Sequence, residues 1–183
     1  MIAVMSPRLA LCTIMVILLP GSLNGQEQPP NADGLTPFSS EAGKFSIRLP
    51  GKPRYEATTV GDAKEVQHQY QVTGQQGVYL ISHQENPNLR GGAPKDLQAA
   101  LQIGRDGMQK AFRGEVLESK DTTLDGKHPG LSFRLTIPQA GGEARCRFYM
   151  VGTRLYQILA IGTPEFVSSD QSTRILASFK LLP

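Results

Sequence analysis

The sequence has no tryptophan, and only two cysteines and three histidines among its 183 residues. One cysteine, Cys12, lies inside an N-terminal apolar run, so a processed chain keeps Cys146 alone and has no intrachain disulfide framework. Neither sign of charge dominates. Nineteen Lys and Arg against 16 Asp and Glu leave a formal charge of +3, too dilute for the concentrated basic footprint of a nucleic-acid binder. No apolar run reaches the roughly 20 residues of a membrane span. Catalytic fingerprints are missing too. Gly130-Leu131-Ser132-Phe133-Arg134 lacks the closing glycine of a nucleophile elbow and reads as strand, and there is neither a phosphate loop nor a dinucleotide motif. No cofactor is expected, and the composition excludes a disordered, collagenous or multi-span membrane protein.

What is present begins with an address. Arg8 is the only charged side chain before Glu27, and it precedes the apolar run Leu9–Leu19, which stops at Pro20-Gly21. That layout is a secretory signal peptide. Cleavage is expected after Gly25, with Ser22 as the other candidate. Cys12 lies mid-run after Leu11, which argues against a lipidated N-terminus. Residues 1–25 are thus read as signal peptide, 26–37 as a Pro- and Gly-bearing flexible spacer, and 38–183 as a single domain of periplasmic or extracellular location.

Within the domain, strand alternation dominates. Phe45, Ile47 and Leu49 alternate with Lys44, Ser46 and Arg48; Val66, His68, Tyr70 and Val72 alternate with glutamines; Leu131, Phe133, Leu135 and Ile137 alternate with Ser132, Arg134 and Thr136. Folding at Ala140-Gly141 sets Leu135, Phe133 and Leu131 opposite Cys146, Phe148 and Met150. A second fold at Gly152-Thr153, with glycine first in a type II′ turn, sets Met150 opposite Leu155 and Cys146 opposite Leu159. One face of this meander is apolar throughout. The other carries Tyr149, Tyr156, Ile158 and Ala160 beside arginines, which calls for a partial cover. Pro94, Leu97, Leu101, Met108 and Phe112 mark one helix, with Gly104 and Gly107 attributed to close packing on the sheet. Ser169 to Ala177 marks a second, shorter helix capped by Ser168 or Ser169. Phe179 and Leu181 alternate in a last strand. The expectation is an α+β domain: an antiparallel sheet of six to eight strands, mostly hairpins, packed with two helices.

The order of these signals is distinctive: Gly43-Lys44-Phe45-Ser46-Ile47-Arg48-Leu49-Pro50 opens the domain, and a hairpin and the Pro94 helix follow. Gly126-Lys127-His128-Pro129-Gly130 leads into a strand, Arg145 to Tyr156 form the meander, and Ala177-Ser178-Phe179-Lys180-Leu181 closes the chain. This pattern resembles the PsbP-like class of small exported bacterial domains, over residues 38 to 183. The resemblance implies an antiparallel sheet between helices and an accessory or binding role rather than catalysis. It carries over no functional residue and implies no photosynthetic role.

Three constellations bear on chemistry. A turn centred between Gln75 and Gln76 sets His68 opposite His83 with Glu85 on the same face, a candidate zinc or copper site; another register would pair His68 with Ser82 instead. Arg134, Arg145 and Arg147 share the face opposite Phe133 and Phe148, with Arg134 opposite Arg147. The first reading is pairing with the protein's own carboxylates on a covering element; they are also candidates for binding an anion or a partner. Cys146 reads as a buried, inert thiol and His128 as turn chemistry. The leading expectation is an exported non-enzymatic accessory or binding domain acting through a protein partner or small ligand, with no nucleic acid and no stable membrane span after cleavage. The alternative is a metal-binding protein or enzyme using His68, His83 and Glu85. N-terminal sequencing of envelope or medium fractions is expected to find residues 1 to about 25 removed; full-length protein starting at Met1 would refute the export reading.

Overall fold

The computed structural model describes residues 34–60, 65–89 and 91–183. The signal segment and most of the spacer lie outside the described residues. Strand β1 (Thr36–Ser40) takes in Thr36 and Pro37, assigned to the spacer above, and Leu35 before it is fully buried. It pairs with β2 (Phe45–Leu49), which also pairs with the closing strand β10 (Lys180–Leu181) to make a small three-stranded sheet. The larger sheet has seven strands: β3 (Arg54–Val60), β4 (Glu65–Thr73), β5 (Gly77–Glu85), β6 (Val116–Leu124), β7 (His128–Ile137), β8 (Gly142–Val151) and β9 (Arg154–Gly162). They lie in the order β3-β4-β5-β9-β8-β7-β6, and every pairing is antiparallel.

Helix α1 (Pro94–Phe112) packs on one face of the large sheet, mainly on β7 and β8. Proline at its start supplies the fixed φ that opens a helix, and the Asp96 carboxylate accepts the Ala93 N–H at 3.3 Å. Its Leu101 and Met108 join Leu131, Phe133, Leu135, Cys146 and Phe148 in one apolar cluster. A Cβ on Gly104 would stand 3.4 Å from the Phe148 ring, so close packing accounts for that glycine; Gly107 has open space around it, and the packing reason does not extend to it.

The opposite face is covered by the small sheet together with α2 (Pro164–Ser168) and α3 (Asp170–Ala177). Phe45, Ile47, Leu49, Ile175, Leu176 and Phe179 cluster there with Tyr79, Ile81, Tyr156, Ile158 and Ala160. This is the cover that the mixed strand face calls for. The Ser169 hydroxyl caps α3 by accepting the Ser172 N–H at 3.1 Å. The five-residue α2, capped by Thr163, is a third helix beyond the two expected.

The β7–β8 register differs from the sequence expectation. Leu135, Phe133 and Leu131 face Ala144, Cys146 and Phe148, because Pro138–Ala140 forms a 3-10 turn ending on Gly141 at φ 60°, one residue earlier than the Ala140-Gly141 fold. The displacement is two residues in the partner strand, so the same side chains stay on the apolar face. The β8–β9 register is as expected: Met150 faces Leu155 and Cys146 faces Leu159. Of its turn residues only Gly152 has positive φ, 61°, as a type II′ turn requires. Cys146 is fully buried, with its Sγ 3.5 Å from the Met108 Sδ, and burial raises its pKa. A thiol reagent should therefore label native protein far more slowly than unfolded protein; fast native labelling would contradict the β7–β8–β9 packing.

Candidate functional site

The turn after β4 is closed by a hydrogen bond from Gly74 N–H to the Gly77 carbonyl at 2.8 Å, and it sets His68 opposite His83. Their rings stack with centroids 4.6 Å apart and planes at 16°. On the outer side Tyr55 of β3 continues the stack, its hydroxyl 2.8 Å from His68 Nδ1. On the inner side His83 meets Phe45, Tyr70 and Tyr156, each with ring centroids 6.2 Å away.

The turn between β1 and β2 closes over this ring. A Cβ on Gly43 would lie 2.9 Å from His83 Cδ2 and 2.6 Å from the Phe45 ring, so only glycine allows the approach. The Tyr156 hydroxyl fastens the turn by donating to the Gly43 carbonyl at 2.8 Å. His83 is left 4% exposed, and its buried Nε2 meets no hydrogen-bond partner among the described residues. Burial, helped by the charges of His68 and Arg154 and opposed by Glu85, lowers its pKa from 6.5 to about 4.

Glu85 lies two residues beyond His83 on the same strand face. It accepts from Arg154 Nε at 2.6 Å and from the Thr153 hydroxyl at 2.8 Å. Burial alone would raise its pKa, but these two donors and the guanidinium charge outweigh burial and hold the carboxyl below its ordinary value. His68, His83, Glu85 and Arg154 line a pocket of about 330 Å³ together with Val66 and Pro87.

The structure thus brings His68, His83 and Glu85 to one place in an arrangement suited to packing more than to ligation. Nitrogen lone pairs lie in the ring planes, so face-to-face imidazoles do not aim at a common point, and both Glu85 oxygens are already engaged. Among the described residues no group of three or more His, Cys, Asp and Glu is placed to hold a metal ion. His128 starts β7 beside the Asp125-Gly126 turn, away from the other two histidines in the strand order. Gly43, Arg154 and Tyr156 were not anticipated as parts of this site, because their contacts cross from the β1–β2 turn and β9 to β5.

The three arginines share the sheet face away from α1, with one correction: Arg134 faces Arg145, and Arg147 faces Ser132, a consequence of the shifted β7–β8 turn. Arg134 lies 3.9 Å from Glu118 and 3.5 Å from Glu143. Arg145 Nη1 donates to the Thr173 hydroxyl at 2.8 Å, and Arg147 Nη1 to the Leu176 carbonyl at 3.3 Å. Both ties run to α3.

An antiparallel seven-stranded sheet held between α1 and a small sheet with two short helices is a PsbP-like fold. The solution structure of cyanobacterial PsbP (CyanoP) from Synechocystis superposes with a TM-score of 0.51 at 13% identity, covering 88% of this chain and 98% of that one. A Pseudomonas aeruginosa protein of unknown function gives 0.43 at 10% identity over 78% of this chain and 92% of its own. A Bacteroides thetaiotaomicron protein gives 0.38 at 10% identity over 80% and 48%. No protein-family model matches the chain. No curated relative matches it either.

The buried imidazole has a pH consequence. Between 6.5 and about 4 the unfolded chain takes up a proton that folded His83 refuses. Stability from neutral His83 is therefore complete above pH 6.5 and is lost as pH falls toward 4, by at most about 3 kcal/mol. Melting temperature against pH should decline through that window and flatten there in His83→Gln. Loss of the depressed Glu85 carboxylate belongs to a lower range, below its ordinary 4.5. An unchanged slope in His83→Gln would overturn the assignment.

Proposed function

We propose that the chain is an exported, non-enzymatic accessory domain that binds a protein partner or small ligand at the pocket between the β1–β2 turn and the ends of β4, β5 and β9. The observation that carries this reading is His83: a buried imidazole lining a pocket, whose Nε2 has no partner among the described residues, beside Glu65 in the same lining, whose buried Oε1 has none either. A ligand with a polar group to offer would complete it. Val66, 45% exposed, supplies an apolar contact beside it. The PsbP-like fold supports an accessory role, and no described helix is long and apolar enough to cross a membrane. Export rests on the N-terminal segment read above.

Tagged mature chain recovered from its native envelope should retain a partner that Val66→Glu loses, with the melting temperature unchanged. Equal recovery by both would overturn the pocket as the docking element. The rival reading, a metal site of His68, His83 and Glu85, has the stacked ring geometry and the engaged Glu85 oxygens against it. Metal analysis of protein purified without an affinity tag separates the two: stoichiometric zinc or copper that disappears in His68→Ala would decide for metal.

A further inference from the structure

Strand β8 carries Arg145 and Arg147 on the face away from α1, and each guanidinium is tied once, to Thr173 and to the Leu176 carbonyl of α3. A guanidinium has five N–H donors, so most of each fork is left over. Among the described residues no carboxylate pairs with either arginine, whereas Arg134 beside them has both Glu118 and Glu143 within reach. Half-buried arginines two apart on one strand face repel each other, and the α3 groups they reach, the Thr173 hydroxyl and the Leu176 carbonyl, are uncharged.

The ladder extends this charge across the sheet. Lys120 of β6 faces Ser132 of β7, which faces Arg147 of β8, and the neighbouring row runs Glu118, Arg134, Arg145. Glu118 and Lys120 are exposed, and Ser132, Arg134 and Thr136 are half-buried. Helix α3 packs over β9 and β2 and α2 over β8 and β9, and no lid element packs extensively on β6 or β7 among the described residues. The result is a polar channel about two strands wide, or roughly 10 Å. Among the described residues no carboxylate forms an ion pair with three cations in it, Lys120, Arg145 and Arg147.

We propose that this strip docks an acidic, extended segment of a partner protein, whose alternate carboxylates pair with Arg145 and Arg147 along β8 while a further carboxylate reaches Lys120 across the ladder. Two features favour a peptide over a single small anion. The cations are spread over three strands, with Lys120 two strands or roughly 10 Å across the ladder from Arg147, wider than a single phosphate. Residues two apart on β8 repeat at about 7 Å, the same interval at which an extended segment presents side chains on one face. This surface lies toward the β6 edge of the large sheet and the His83 pocket toward the β3 edge, so the inference stands apart from the function proposed above.

The test uses a fluorescent peptide of alternating Glu and Ser, titrated with the whole mature chain at low and moderate salt. Lys120→Glu, an exposed change, should weaken binding roughly ten-fold without shifting the melting temperature. Arg147→Gln should weaken it similarly. Lys52→Glu, with the same change in net charge elsewhere on the surface, should alter it less than about two-fold. Equal losses in Lys52→Glu and Lys120→Glu would overturn the proposal in favour of non-specific attraction. So would failure of the peptide to bind while inorganic phosphate or phosphatidylglycerol vesicles bind in a Lys120-dependent way.

Discussion

Strand β5 is buried over seven consecutive residues, Val78 to Gln84, because its face toward α1 and its face toward the small sheet are both excluded from water. The same holds for Leu155 to Ala160 in β9. Strands in that position cannot alternate between apolar and polar, and they read as continuous hydrophobic runs. Everything distinctive about the domain depends on this double covering. It forces Tyr156, Ile158 and Ala160 onto a second apolar face. It requires β1, β2, β10, α2 and α3 to form that face's lid, and it takes His83 out of solvent when the lid's first turn comes down on Gly43.

A dry sheet has to satisfy whatever polar groups it contains. Ser82 donates to the Gln157 amide oxygen at 2.9 Å and Gln67 reaches the same oxygen at 3.3 Å; Tyr79 meets Ser172 at 2.9 Å, and Ser40 meets Tyr70 at 2.7 Å. Charged groups are held to the margins of the lid, where Glu85 is clamped by Arg154 at one end and Arg147 meets the C-terminal carbonyl end of α3 at the other. A cation at that end of a helix is favourably placed against its dipole, which helps explain why arginine is tolerated half-buried there.

Much of this was legible along the chain. The alternation in β7, β8 and β9 and the glycines at both turns identified the apolar face facing α1. The two-residue error in register arose because Pro138 draws the chain into a 3-10 turn, and alternation cannot distinguish registers that differ by an even number. The strands with no apolar alternation escaped notice. The edge strand β6, Val-Leu-Glu-Ser-Lys-Asp-Thr-Thr-Leu, is mostly charged and polar because it is half-solvated and needs protection from pairing with other chains. The meeting of His68 and His83 followed from a local turn and was visible. Arg154 beside Glu85, and Gly43 over His83, join segments 69 and 40 residues apart, and no local pattern encodes them.

Strand β2 is hydrogen-bonded to β1 on one side and to β10 on the other, so Phe45 and Ser46 stand opposite Leu181 and Lys180. The lid over the large sheet is therefore stitched from the two ends of the domain. A chain emerging N-terminus first holds β2 half-paired until Lys180 and Leu181 are free, and the aromatic cluster around Phe45 lacks Phe179 until then. Closure of the core is thus a late, long-range event, while the β7–β8–β9 meander and α1 can assemble from neighbouring segments beforehand. Force applied at Thr36 and Leu181 would likewise reach this small sheet first, because β1 and β10 are the first and last strands among the described residues.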